Sequence, residues 1–202
     1  VREIEPHDSV ERYTGLGVDV AIGRAKITSP WHVEITKDDG SKQTLSTKSI
    51  VIATGAAPFV PPLPGLEDVG YLTSDTLWGL RDQPKRLVVL GGGPIGCELA
   101  QSFARLGSQV TQIEMLPRIM IREDEDVSAY AKKALEADGV TILTGHKALR
   151  CEKRGDVKTI VVENNGKETA IEFDALLCAV GRSARLNICS RVQPLTTPFS
   201  VE

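Results

Sequence analysis

The sequence predicts an α/β fold: a parallel sheet with helices between its strands, an appended β-meander, and a β-rich segment ahead of it. Three observations carry that prediction. Residues 86–114 run as an apolar strand, a glycine turn, a helix with an apolar stripe and a second strand, which are the parts of one βαβ unit. Residues 127–143 repeat the order of helix then apolar strand. Residues 147–172 change to short β runs around Asn164-Asn165-Gly166, a hairpin turn signal.

Length and composition bound the rest. The chain has 202 residues, 41% of them hydrophobic, and a formal charge of −3, so one or two domains with a real core are expected. No basic cluster gives a footprint for nucleic acid. No apolar run approaches the ~18 residues of a membrane span, and no signal-peptide pattern opens the chain. A start at Val1 rather than Met reads as a piece of a longer protein. Cys97, Cys151, Cys178 and Cys189 form no C-x-x-C, which argues against a zinc site and fits a cytoplasmic protein. Cys97 falls in the first turn of a helix, where its pKa could drop, but a small packing residue is the favoured reading.

Taken in order, Asp8 and Glu11 have the spacing of an N-cap and its N3 partner. They predict a short helix from Ser9 to about Tyr13, stopping at Gly15. Val18, Val20 and Ile22 alternate as a strand, and residues 31–36 and 42–47 form a hairpin through Lys37-Asp38-Asp39-Gly40. Residues 50–53 are a continuous apolar run, as in a strand covered on both faces. The proline-rich stretch 58–65 can continue neither sheet nor helix and reads as a stiff connector near a domain boundary. Thr73-Ser74-Asp75 would open a short helix near Leu77 to Leu80.

The central unit has a job for each part. Gly91, Gly93 and Gly96 form G-x-G-x-x-G: one for the tight turn, one where backbone must touch a pyrophosphate, one for close packing of helix on sheet. Ile95, Leu99, Phe103 and Leu106 supply the helix stripe, and Gly107 ends it. Glu114, at the end of the second strand, stands where a carboxylate would accept hydrogen bonds from a ribose. The acidic run 122–126 fits the positive end of the next helix better than a metal site. That helix is expected to bury Val127, Tyr130, Ala131, Ala134 and Leu135 and to end at Gly139. Residues 140–143 follow as the third parallel strand and 173–180 as a returning strand. His7, His32 and His146 form no catalytic arrangement with a serine or cysteine.

Several landmarks then fall in one order: Ala53, Thr54, Gly55 and Pro58; the proline-rich connector; GGGPIGCELA with Glu98; Glu114; and Ala179 to Arg182. Together they resemble the flavin-dependent pyridine nucleotide-disulfide oxidoreductases, nearest the dihydrolipoamide dehydrogenase and mercuric reductase branch. The resemblance implies a Rossmann-like NAD(H)-binding domain at 73–181 and a partial FAD-domain segment at 1–72; residues 182–202 do not follow the family's pattern and are expected to be a poorly ordered tail. It implies that Gly91, Gly92, Gly93, Pro94, Ile95, Gly96 and Glu98 hold the NAD pyrophosphate and reach toward the nicotinamide, with Glu98 orienting the carboxamide. Ala148 and Gly181 match backbone positions at the adenine and nicotinamide ends, and Ala25, Thr54, Gly55 and Ala56 match positions against FAD.

The departures are equally specific. The family's FAD glycine motif and its C-x-x-x-x-C redox pair would precede Val1, and its C-terminal interface domain, through which the parent would form a homodimer, would follow the tail. No catalytic residue is therefore assigned within the chain, and the fragment alone is expected to bind NAD(H) at best. Charge favours NAD over NADP, because a 2′-phosphate would meet Glu114, although Arg118 and Arg122 lie near enough to serve one. The expected function is hydride transfer between nicotinamide and flavin, electrons passing to a disulfide or metal ion. A stand-alone, non-catalytic dinucleotide-binding module is the alternative from another class; an NADH oxidase or transhydrogenase is a third.

Overall fold

The computed structural model describes residues 5–185. Over these residues the chain forms two compact units: one runs to Gly55 and takes up the chain again at Ala184, the other is Ala56–Ser183. The division falls after Gly55, just ahead of the proline-rich stretch read as a connector. Of the expected poorly ordered tail, 182–202, residues 182–184 form a strand, and the part beyond residue 185, with Cys189, lies outside the described residues.

In the first unit, α1 (Val10–Gly15) is capped by Ser9, whose hydroxyl accepts the Arg12 N–H at 3.2 Å. The cap is thus one residue later than expected, because Asp8 is taken up in a 3-10 turn, Glu5–Asp8. Strands β1 (Arg24–Ser29), β2 (His32–Thr36) and β3 (Lys42–Ser46) form an antiparallel sheet, with Ala25 opposite Ile35 and Val33 opposite Leu45. The predicted hairpin is therefore present, with Gly40 at φ +80°. Two expected strands are not. Val18, Val20 and Ile22 precede the first ladder and are exposed, and Val51 in the 50–53 run is 88% exposed. Alternation and apolarity describe how a strand's side chains would be used, but a strand forms only where a neighbouring strand pairs with it in a ladder, and among the described residues none does so there; the Val18 N–H goes instead to the Tyr13 carbonyl.

The second unit holds β4 (Ala56–Pro58), α2 (Leu66–Val69), β5 (Leu72–Thr73), β6 (Arg86–Leu90), α3 (Pro94–Arg105), β7 (Gln109–Glu114), α4 (Glu125–Ala137), β8 (Thr141–Thr144), β9 (Lys147–Arg154), β10 (Val157–Asn164), β11 (Lys167–Phe173), β12 (Ala175–Cys178) and β13 (Arg182–Ala184). Parallel pairing gives the order β5-β12-β6-β7-β8, and β9, β10 and β11 form the antiparallel meander. Asn165 at φ +52° and Gly166 at +78° make the predicted hairpin turn. The short helix expected near Leu77 is a 3-10 turn, Leu77–Gly79, preceded by Thr73 Oγ1 accepting the Asp75 and Thr76 amides.

Both faces of the parallel sheet are covered, which is why β6 is apolar at every position from Leu87 to Leu90. Val88, Leu90, Ile113, Leu176 and Cys178 pack with the meander's Cys151, Ile160, Val162 and Phe173, and with Leu66 and Val69 of α2. Leu87, Val89, Val110 and Leu177 pack with Cys97 and Ala100 of α3 and Leu135 of α4. Each fully buried Leu or Val stabilises the fold by about 1.5–3 kcal/mol relative to exposure. At the amino end of β6, Arg86 donates to Asp174 at 2.8 Å and to Glu172 at 2.6 Å, while the Asp174 N–H donates to the Arg86 carbonyl. These bonds hold β12 beside β6.

The helix stripes differ from expectation by about one residue. On α3 the buried residues are Gly96, Cys97 and Ala100, with Ile95, Leu99 and Phe103 half-buried and Leu106 68% exposed. Small residues lie where the helix comes closest to the sheet, and the larger apolar ones flank them. On α4, Ser128 and Leu135 are buried, with Ala131 and Ala134 half-buried; Val127 is exposed and Tyr130 is 79% exposed. Ser128 takes the inward place by donating to the Ile119 carbonyl at 2.7 Å. Glu125 and Asp126 occupy the first turn, where the helix dipole favours them.

Burial pushes two core thiols up, Cys151 to about 11 and Cys178 to about 12, the latter raised further by Cys151 and Glu67. An unfolded thiol titrates near ~8.5. The folded pKa values lie above the unfolded one, so this contribution is complete below about pH 8.5 and is lost as pH rises toward 11 and 12. The urea midpoint of the wild type is therefore expected to fall more steeply between pH 8.5 and 11 than that of a Cys151→Ala, Cys178→Ala variant. Circular dichroism would follow both, and parallel curves would remove the thiols from the account.

Candidate dinucleotide-binding site

The site is built at the carboxyl end of β6, where an open parallel sheet leaves a crevice for ligands. The turn from β6 into α3 is held by hydrogen bonds to two neighbouring segments, β7 and the loop that follows it. The Gly91 N–H donates to the Ile113 carbonyl at 2.8 Å, and the Gly91 carbonyl accepts from Gln112 Nε2 at 3.0 Å. Gly92 donates its N–H to Glu114 Oε2 at 2.6 Å and accepts from the Met120 N–H at 2.7 Å. All four backbone polar groups of these two glycines are thus engaged within the protein.

The glycines do separate things. At Gly91, φ is +116° and a Cβ would lie 2.4 Å from the Ala179 carbonyl oxygen, so the turn runs against the segment leaving β12. At Gly96, a Cβ would lie 2.3 Å from the Gly91 carbonyl oxygen. Gly93 is different: it is the N-cap of α3 at φ −76°, and nothing lies within 4 Å of where its Cβ would be. No side chain caps α3, and Pro94 follows Gly93 at the start of the helix. The amides of the first turn, at Ile95 and Gly96, are thereby left for an anion at the open face beside Gly93.

Glu114 borders that face. Its Oε1 accepts the Leu116 N–H at 2.8 Å, so the carboxylate is oriented by two backbone donors. Arg118, which its place in the chain left available to a 2′-phosphate, donates instead to the carbonyls of Met120, Ile121 and Glu123 at 2.9–3.1 Å. Arg122 is exposed. Cys97 is buried and its thiol is pushed up by desolvation, so the start of α3 does not activate it; it packs below the turn, 3.5 Å from the Gly92 carbonyl.

The other expected residues fall in several places. Glu98 is exposed on α3, one turn past Gly93. The His146 N–H donates to the Glu114 carbonyl at 3.0 Å, which brings the start of β9, and Ala148 with it, beside the end of β7. Gly181 follows Ala179, which borders Gly91, and its carbonyl accepts the Phe59 N–H at 2.9 Å. Arg182 donates to the Ala56 carbonyl and to Ser74 Oγ. In the first unit, Ala25 lies on β1 opposite Ile35, and Thr54 Oγ1 donates to the Arg185 carbonyl at 2.8 Å. Gly55 has φ +69°, open space where a Cβ would stand, and a carbonyl that accepts the Arg185 N–H. Sequence reasoning missed Gln112 and the 115–123 loop; a lone glutamine in an otherwise apolar strand was the available signal for the first. The cleft lined by Gln83, Arg86, Gln109 and Asp174 is at the amino ends of the strands, the opposite end from the glycine turn.

A family model, that of the pyridine nucleotide-disulphide oxidoreductases, matches residues 2–197. A mercuric reductase of Bacillus cereus is 39% identical over 176 residues, covering 85% of this chain and 27% of that protein. A dihydrolipoyl dehydrogenase of Acholeplasma laidlawii is 37% identical over 172 residues, covering 83% of this chain and 48% of that protein. Among solved structures, a copper(II) complex of a mutant HOCl-induced flavoprotein disulfide reductase, RclA, from Escherichia coli superposes with a TM-score of 0.75. That match has 28% identity and covers 94% of this chain and 43% of that one. The chain thus spans between about a quarter and half the length of these relatives. Among the described residues, no helix is long and apolar enough to cross a membrane.

The two glycines that differ most in surroundings give a direct check. Gly96→Ala sets a methyl group against backbone and is expected to destabilise by about 1–3 kcal/mol, reduced somewhat by alanine's better helix propensity. Gly93→Ala meets open space and is expected to change stability by less than about 1 kcal/mol. Urea denaturation of both variants measures the difference, and equal stabilities would mean that the approach of Gly91 to Gly96 constrains nothing.

Proposed function

The chain belongs to the pyridine nucleotide-disulphide oxidoreductase family, and from that premise we propose that its second unit binds NAD(H) for a FAD-dependent oxidoreductase. That enzyme passes a hydride between nicotinamide and flavin, with electrons going on to a disulfide or a metal ion. The observation that carries the reading is the open, uncapped start of α3 at Gly93 with the oriented Glu114 carboxylate beside it. A diphosphate fits there because it needs unpaired amides, a positive helix end and no Cβ in its way.

The residues then divide the work of binding. The amides at Ile95 and Gly96 hold the diphosphate, and Glu114 accepts hydrogen bonds from the adenosine ribose. Glu98 orients the carboxamide, and the backbones at Ala148 and Gly181 border the adenine and nicotinamide ends. Bound in this way, the nicotinamide supplies the hydride chemistry, and the protein supplies orientation. For FAD, the supporting observation is Gly55, whose φ of +69° and open side leave room for a close backbone approach. Ala25, Thr54 and Ala56 join it on the resemblance of the motif.

Charge sets the preference between the two nucleotides. A 2′-phosphate would stand against Glu114, and Arg118 has given three of its five N–H donors to carbonyls. Calorimetry is expected to find NADH binding with NADPH at least about tenfold weaker, a difference of about 1.4 kcal/mol. Glu114→Gln keeps an acceptor for the Gly92 N–H while removing the charge, so the ratio is expected to narrow toward one. Equal affinity of the wild type for both nucleotides would overturn the assignment of Glu114.

A further inference from the structure

We propose that Gln112 and Glu114 clamp a single peptide unit, Gly91–Gly92, and that Gln112 is a positioning residue of the dinucleotide site. The functional part of this proposal rests on reading the turn as that site. The two side chains stand at i and i+2 on β7 and so leave the same face of the strand, the face on which Val110 meets Cys97 and Ala100 of α3. Gln112 Nε2 donates to the Gly91 carbonyl at 3.0 Å, and Glu114 Oε2 accepts the Gly92 N–H at 2.6 Å. That carbonyl and that N–H belong to one planar unit. Its oxygen is held by one side chain and its hydrogen by the next but one.

Gln112 carries a disadvantage that an apolar residue would not. It is fully buried, and among the described residues its Oε1 accepts no hydrogen bond. Such orphaned acceptors are few in folded interiors. Turning the amide over would set Oε1 against the Gly91 carbonyl, acceptor to acceptor, so the bond to Gly91 fixes its orientation. Its other contact, Cys97 Sγ at 3.5 Å, is a weak partner. What Gln112 provides at this place is therefore the hold on Gly91. That hold matters because two glycines flank the peptide and allow it to rotate at little cost. Rotation would carry the Gly91 oxygen away from Gly96, where it now stands 2.3 Å from the position of a Cβ, and would disturb the first turn of α3.

Gln112→Met keeps the length of the side chain and removes both donor and orphaned acceptor; Gln112→Leu serves if the methionine variant does not fold. NADH affinity is read by calorimetry, and amide hydrogen exchange is read at Gly92 and, as internal controls, at Val88 and Val89 of β6. The expected result is NADH binding about 3- to 10-fold weaker. Exchange at Gly92 is expected to be at least about tenfold faster while Val88 and Val89 keep their protection. Unchanged exchange at Gly92, or a rise shared equally with Val88 and Val89, overturns the clamp. Faster exchange at Gly92 with unchanged NADH affinity overturns the positioning role. If the wild type does not bind NADH, the reading of the site fails, and the exchange comparison still decides whether the clamp exists.

Discussion

The carbonyl oxygen of Gly91 occupies the place where residue 96 would carry a side chain. Most of the second unit is arranged to make that close approach possible. It requires glycine at 96, it sets the first turn of α3 hard against the end of β6, and it leaves the helix start uncapped by any side chain. Neighbouring groups then complete the turn: the Ile113 carbonyl, the Gln112 amide, the Glu114 carboxylate and the Met120 N–H each take one backbone group of Gly91 or Gly92. A buried carbonyl or N–H without a partner costs about 1–3 kcal/mol, so four satisfied groups in two glycines remove any drive for the turn to open.

The sheet supplies the rigidity behind this. β6 is buried on both faces, by the meander on one side and by α3 and α4 on the other. Its amino end is fixed to β12 through Arg86 and Asp174 and its carboxyl end through the Ala179 N–H to the Leu90 carbonyl at 2.8 Å. The 115–123 loop closes over the turn from the other direction, with Ile119 fully buried and Arg118 tying the loop's own carbonyls together. A guanidinium used in this way stiffens a loop, with three of its five N–H donors committed to backbone carbonyls.

The legible part of this molecule in its sequence was the part whose side-chain pattern and backbone requirement coincide. The β6-α3-β7 unit was readable because glycine spacing, an apolar strand and a terminal acid each constrain the same turn; the Asn164-Asn165-Gly166 hairpin was readable because two successive positive φ values demand such residues. The misread strands at 18–22 and 50–53 had the side-chain pattern alone, and pairing depends on a neighbour that local sequence does not name. The helix stripes were misplaced because size was taken as burial: Leu106 and Tyr130 are large and exposed, whereas Gly96, Ala100 and Ser128 are small and buried. Gln112 was invisible for a related reason, since a single polar residue in a strand gives no periodic signal even when it reaches the glycine turn.

How a ligand is met depends on which amides the protein already uses. In a turn whose own polar groups compete for the same amides, binding an anion would first require those internal bonds to break. Here the amides bonded within the turn are those of Gly91 and Gly92, and the helix amides begin after Gly93, so the two sets are separate. The Glu114 carboxylate lies on the border between them, holding Gly92 inward with one oxygen and Leu116 with the other. A carboxylate has about four lone-pair directions, so two backbone donors orient it without exhausting it. In the proposed dinucleotide site, a ribose hydroxyl added at the carboxylate's free directions would meet a group that is already aimed. On that proposal less ordering would remain to oppose binding, because the carboxylate is already held by two backbone donors.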